Sequence, residues 1–209
     1  MFTIIFSIFT NIYSVIVMKI RRTYSIAIYP PAEVMNLVKE FKDLLAKIIG
    51  WFHSRNSIAH ITIIEFQASE AEILIIKDFL KRFCGNKSPF HINLDGFKNY
   101  LNGALFIAPD EESKLVTKSF MKQLQASFPL KYHFGSKDPH MSIARQLDKQ
   151  HIEIANYLFK EVKAEFDCDT VVLREFNEDI KQFVVIEKYI LNGSEGCSNN
   201  NGQLSLGFL

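Results

Sequence analysis

Two short stretches place an imidazole two residues ahead of a hydroxyl: "HITI", with His60 and Thr62, and "HMSI", with His140 and Ser142. On an extended chain residues i and i+2 project to the same face, so each stretch presents a ring nitrogen beside a hydroxyl. Ile61, Ile63, Met141 and Ile143 then point the other way and anchor the strand in a core. An imidazole titrates near neutral pH, so of two facing rings one can accept a proton while the other donates one. Phosphodiester cleavage needs that pairing, one group to activate the attacking oxygen and one to protonate the leaving oxygen. Hydroxyls aimed at the nonbridging oxygens would stabilise the charge that builds between them.

Paired histidines also bind metals, but such sites add Asp, Glu or Cys ligands at close spacing, and the sequence has no H-E-x-x-H, H-x-x-E-H or H-x-D pattern. It also has no G-x-x-x-x-G-K-[ST] loop for ATP-dependent ligation. The reading is therefore a site with no metal and no cofactor. Lys plus Arg number 24 against 23 for Asp plus Glu, so no overall field draws the protein to long nucleic-acid polymers, and phosphate recognition must be local. With six histidines in the chain, a single H-x-[ST] match arises readily by chance. Matched placement of two does not, and it shows only when the surrounding elements are read.

Tyr24 to Tyr29 is strand-like and closed by Pro30 and Pro31. Val34, Leu37, Val38, Phe41, Leu44, Leu45 and Ile48 then recur at helical spacing. "HITIIEF" is a second strand, residues 70–83 a second helix, and "FHINLDGF" a third strand with a turn signal at Asp95 and Gly96. From Ala104 the order repeats: strand "ALFIAP", helix 110–127, strand "HMSIAR", helix 148–162, then strand-like runs at 165–176 and 181–191. The first strand begins 36 residues before the motif histidine in both halves, Tyr24 to His60 and Ala104 to His140. This predicts an α+β fold of duplicated strand-helix-strand-helix-strand units, with two antiparallel sheets around a central groove and a pseudo-twofold axis. The units, about 24–100 and 104–190, are expected to form the lobes of a single bilobal domain over residues 19–191.

Residues 1–17 carry no charge and precede "MKIRR". A membrane-spanning helix needs roughly 20 apolar residues, and this segment is diluted by Thr3, Ser7, Thr10, Asn11 and Ser14. Residues 1–18 read as an apolar extension ahead of a true start at Met18. The alternative is a weak membrane anchor, with Lys19, Arg21 and Arg22 keeping the domain on the cytoplasmic face. Residues 192–209, rich in Asn, Gly and Ser, read as a disordered tail. Three scattered cysteines, Cys84, Cys168 and Cys197, suit neither a disulfide framework nor a zinc site, and point to a reducing, cytoplasmic setting. A monomer is expected.

The paired motifs, 80 residues apart in a duplicated α+β chain, resemble those of the 2H phosphoesterase superfamily, and "PHMSIAR" is similar to its 2'-5' RNA ligase (LigT-like) branch. The likeness spans residues 19–191. It implies a LigT-like fold and metal-independent opening of a 2',3'-cyclic phosphate to a 2'-phosphate, with 2'-5' ligation as the reverse. It also implies RNA ends or small nucleotides bearing a cyclic phosphate as partners. By the same resemblance His60 and His140 are the acid-base pair, Thr62 and Ser142 hold the phosphate, and Arg145 contacts it. Ser142 departs from the commoner threonine but keeps the hydroxyl. Counting by twos places Arg145 with Met141 and Ile143, away from the groove, unless the strand bulges after Ile143. Phe66, which shares the parity of His60, and Tyr24 are the substrate-stacking candidates. The alternative is a non-catalytic RNA-end or nucleotide-binding module of the same fold. Binding alone would tolerate Asn, Lys or Arg at the motif positions, so both histidines with both hydroxyls favour the enzyme.

Overall fold

In the computed structural model, which describes residues 20–193, the first strand-like run forms β1 (Arg22–Ile28). Its residues 24–28 are all buried, as a central strand with both faces covered requires. Pro31 ends it and stands as the N-cap of α1 (Ala32–Ile49), which stops at Gly50, whose φ of 77° lies in the region that favours glycine. Next come β2 (Ile61–Ala68), α2 (Glu70–Gly85), β3 (Phe90–Asn99) and β4 (Leu105–Pro109). They are followed by α3 (Glu111–Ser127), β5 (Phe134–Gly135), β6 (Met141–Ala144), α4 (Lys149–Leu158), β7 (Lys163–Cys168), β8 (Thr170–Asn177) and β9 (Gln182–Ile190). Ser69 and Glu72 close a capping box on α2, and Asp110 and Asp148 cap α3 and α4, so three helices start where a side-chain oxygen meets an orphan N–H.

All strand pairs are antiparallel and build two sheets, one ordered β5-β2-β1-β8-β9 and the other β6-β4-β3-β7. The α+β architecture with two antiparallel sheets is as the sequence implied. Helix α2 packs on β2 and β9, α1 packs on β6, β7 and α4, and α3 touches β2, β3 and β4, thereby joining the two sheets.

The sheets do not divide where the sequence suggested. Each takes strands from both chain halves: β3 leaves the first half to pair with β4 and β7, while β8 and β9 cross back to β1. The lobes are therefore not residues 24–100 and 104–190. The run at 165–176 is two strands, broken at Asp169, with β7 on β3 and β8 on β1. This exchange places one continuous apolar core under both sheets, from Tyr24 to Leu191. Asp95 and Gly96 do not end β3 but form a bulge in it, with Gly96 at φ 95°. Helix α4 ends at Leu158, earlier than expected, and the short β5 had no sequence signal. Gly193, within the segment expected to be disordered, is tied down, its N–H to Lys87 O at 3.0 Å and its carbonyl to the Ser88 hydroxyl at 2.9 Å. The readings for residues 1–18 and for the tail from 194 lie outside the described residues. Among those described, no helix is long and apolar enough to cross a membrane.

Candidate active site

The motif strands are central to the site because each pairs with the first strand of its own half, β2 with β1 and β6 with β4. The registers show the same irregularity in both. On β2, Thr62 faces Ala27 and Ile64 faces Ile26, leaving Ile63 as an extra residue. On β6, Ser142 faces Phe106 and Ala144 faces Leu105, leaving Ile143 extra. Each strand thus bulges just after its hydroxyl residue, and two successive residues, Ile63 with Ile64 and Ile143 with Ala144, are fully buried. The bulge resets the parity, so the fifth residue after each histidine, Glu65 in one half and Arg145 in the other, returns to the groove. Arg145 is therefore in reach of the site despite its odd position, through the one route the sequence allowed.

His60, Thr62, His140, Ser142 and Arg145 all line one groove of about 640 Å³ between the sheets. The two imidazoles are held alike. His60 Nδ1 lies 2.6 Å from the carbonyl of Ile58 and His140 Nδ1 lies 2.9 Å from that of Asp138, each two residues upstream. A carbonyl can only accept, so Nδ1 carries the proton and donates in both rings, which leaves Nε2 as the exchangeable nitrogen. Among the described residues neither Nε2 has a hydrogen-bond partner. The His140 ring is further fixed by Phe106 and Tyr100, with centroids at 5.1 and 5.8 Å. Burial, with the hydrogen bond to Asp138, pushes the Tyr100 hydroxyl up to about 12. Burial opposes ionisation of Asp138, but hydrogen bonds from Lys118 and Tyr100 outweigh it and hold the carboxyl below its usual range. Around His60, burial and then the nearby Arg174 charge push the ring well below the ordinary histidine range and keep it neutral.

The loop at 52–58 fastens both motifs. Arg145 N–H donates to His53 O at 3.1 Å, the Ser54 hydroxyl donates to Ile143 O at 3.1 Å, and Ile58 O receives the His60 ring. This loop is held from below by Lys42, which sits on the apolar stripe of α1 between Val38 and Leu45 and is only 2% exposed. Its ammonium donates to Ser54 O at 3.0 Å, Ser57 O at 2.6 Å and the Ser57 hydroxyl at 2.9 Å, and burial pushes it down to about 8. Lys42→Met should keep the packing volume but leave the Ser57 carbonyl unpaired, Ser54 O still accepting from the Ser57 N–H and hydroxyl, and so lower stability by about 1–3 kcal/mol in chemical unfolding. A Lys42→Met protein as stable as the wild type would show that the loop does not depend on this contact. Sequence reading stepped over Lys42 because only its partners, not its spacing, explain a charge at a core position.

Two sequence expectations are corrected. Phe66 is fully buried between Tyr24 and Phe128 on the helix side of the sheet, because the bulge at Ile63 removed it from the parity of His60. Tyr24, 3% exposed, faces the same way and stacks on Phe66 at 5.7 Å. Neither can stack on a molecule in the groove. Residues that sequence reading missed there include Glu65, Tyr100, Phe134, Arg174 and Phe183. Glu65 was discoverable from its offset of five from His60, which mirrors Arg145 and His140. Arg174, far along the chain on β8, carries no local signal.

Comparison with known proteins agrees with this fold. The family model of the 2'-5' RNA ligase superfamily matches residues 30–180. TT0787 of Thermus thermophilus has a similar crystal structure, with a TM-score of 0.57 and 19% identity over 82% of this chain and 98% of that one. E. coli LigT complexed with 3'-AMP superposes with a TM-score of 0.58 and 12% identity over 82% and 98% of the two chains. E. coli LigT complexed with phosphate gives a TM-score of 0.52 and 13% identity over the same shares. At these identities the likeness is one of fold. No curated protein matches the chain in sequence.

Proposed function

The chain belongs to the 2'-5' RNA ligase superfamily, and on that basis we propose that it is a metal-independent 2',3'-cyclic phosphodiesterase acting on RNA ends or small nucleotides. The observation that carries the reading is the matched pinning of the two imidazoles, each with Nδ1–H given to a carbonyl two residues upstream and Nε2 left for a substrate. His60, kept neutral by burial and by Arg174, suits the base that takes a proton from the attacking water. His140 then protonates the departing 3'-oxygen, leaving a 2'-phosphate. Thr62 and Ser142 donate to the nonbridging oxygens, and Arg145 adds a charge-assisted contact. Microscopic reversibility exchanges the roles of the histidines when a 2'-5' bond is formed. The 3'-AMP and phosphate held by E. coli LigT are ligands of the class this reading requires.

The test is turnover of the four nucleoside 2',3'-cyclic phosphates in the presence of EDTA. Activity should be undiminished by the chelator, and its loss on chelation would end the metal-independent reading. The pH dependence carries a sign. Protonating His60 removes the base, and its pKa lies below the ordinary value of about 6.5, so kcat/KM should persist as pH falls through that value and decline only well below it. An acid limb at or above the ordinary histidine range would assign the base elsewhere.

A further inference from the structure

One row of residues crosses the five-stranded sheet on its groove side. Phe134 pairs with Glu65, Glu65 with Ser25, Ser25 with Arg174, and Arg174 with Val185. Phe134, Glu65, Arg174 and Val185 line the groove, and the small buried Ser25 lies beneath them. The row stands two residues along β1 from Ala27, the partner of Thr62, or about 7 Å, the scale that separates a ribose phosphate from its base.

Two opposite charges, close enough to act on one another but not in direct ion-pair contact, face each other across this row. Arg174 is 5% exposed, donates from Nη2 to the Ser25 hydroxyl at 2.7 Å, and lies over the Phe183 ring at 5.2 Å. Its Nε has no hydrogen-bond partner, and among the described residues no carboxylate lies within 4.0 Å of it. Burial leaves the guanidinium short of partners, so an acceptor placed in the groove would stabilise it. The Glu65 carboxylate only accepts, and the one basic side-chain nitrogen within 4.0 Å of it among the described residues, His133 Nε2 at 4.0 Å, is beyond hydrogen-bond reach. The two residues stand two strand spacings apart, about 10 Å between backbones, with exposed Phe134 at one end and Phe183 at the other. The gap is bounded by aromatic rings at its ends, with an acceptor on one side and a donor on the other.

We infer that this row is a nucleobase subsite selective for guanine, in which Glu65 accepts from N1–H and N2–H while Arg174 donates to O6 and N7. Guanine alone of the four bases offers two adjacent donors to a carboxylate and an acceptor pair to a guanidinium. Adenine and cytosine set a ring-nitrogen lone pair beside their amino group, and uracil flanks its single N–H with two carbonyls. Each would leave Glu65 or Arg174 desolvated and unpaired, which is how polar sites reject a wrong ligand. The inference rests on the proposed phosphate site for its orientation.

The test is calorimetric binding of the 2'-monophosphates of guanosine, adenosine, cytidine and uridine to the full chain, which does not depend on turnover. The guanosine compound should bind about 10- to 100-fold more tightly than the others. Glu65→Ala should abolish that advantage while affinity for the other three holds or rises, since a negative charge has left an anion's groove. Four nucleotides bound alike by the wild type, or a Glu65→Ala change that moves all four together, would overturn the subsite. If no cyclic nucleotide is hydrolysed but the binding order and its loss in Glu65→Ala are seen, the phosphodiesterase reading fails and the base subsite stands.

Discussion

Replacing His60 or His140 with alanine should each lower kcat on a 2',3'-cyclic nucleotide by about 10²- to 10⁴-fold, the worth of a positioned proton transfer. The double variant should be little slower than the slower single one, because groups that act in one step are not additive. Thermal unfolding should change little, as both rings line an open groove and each gives up one hydrogen bond to a carbonyl. The two losses are separable by the leaving group. A substrate with sulfur in place of the bridging 3'-oxygen needs no proton to depart, so it should restore His140→Ala and leave His60→Ala slow. Rescue of His60→Ala instead would reverse the roles, and a fully active single variant would remove the pair from the mechanism.

Thr62→Val and Ser142→Ala should each cost about 10- to 10³-fold in kcat, as loss of one transition-state hydrogen-bond donor does elsewhere. Valine keeps the branched shape of threonine, so the Thr62 change isolates the hydroxyl from the packing of β2 against β1. Because the bulges set both hydroxyls in equivalent positions, the two losses should be similar in size and fall on kcat more than on KM. A loss confined to KM would mean that the hydroxyls bind ground state and transition state equally, and so add affinity without catalysis. Ser142→Thr, which keeps the donor, should retain activity.

Local sequence sufficed for most of the elements and for singling out the four motif residues that share the groove. Periodicity located every helix and most strands, and the equal spacing from Tyr24 to His60 and from Ala104 to His140 showed that the chain repeats and that the motifs occupy equivalent strands. These are local properties: a period of two or 3.6, a proline after a strand, a capping residue before a helix. Which strands pair, and where they slip, emerged only in three dimensions. A bulge belongs to two strands at once, so the alternation of β2 and β6 read alone led Phe66 into the groove and Arg145 out of it, and the registers against β1 and β4 reversed both. The crossing of β8 and β9 into the sheet of β1 is likewise a matter of long-range pairing, and it brings Arg174 onto Ser25 from 149 residues away. Lys42 shows the same limit, since a charge in an apolar stripe is explained only by the oxygens of Ser54 and Ser57 to which it donates. Residue type and spacing encode the chemistry available to a strand, whereas the face on which that chemistry appears depends on the partner strand's register, which no single segment contains.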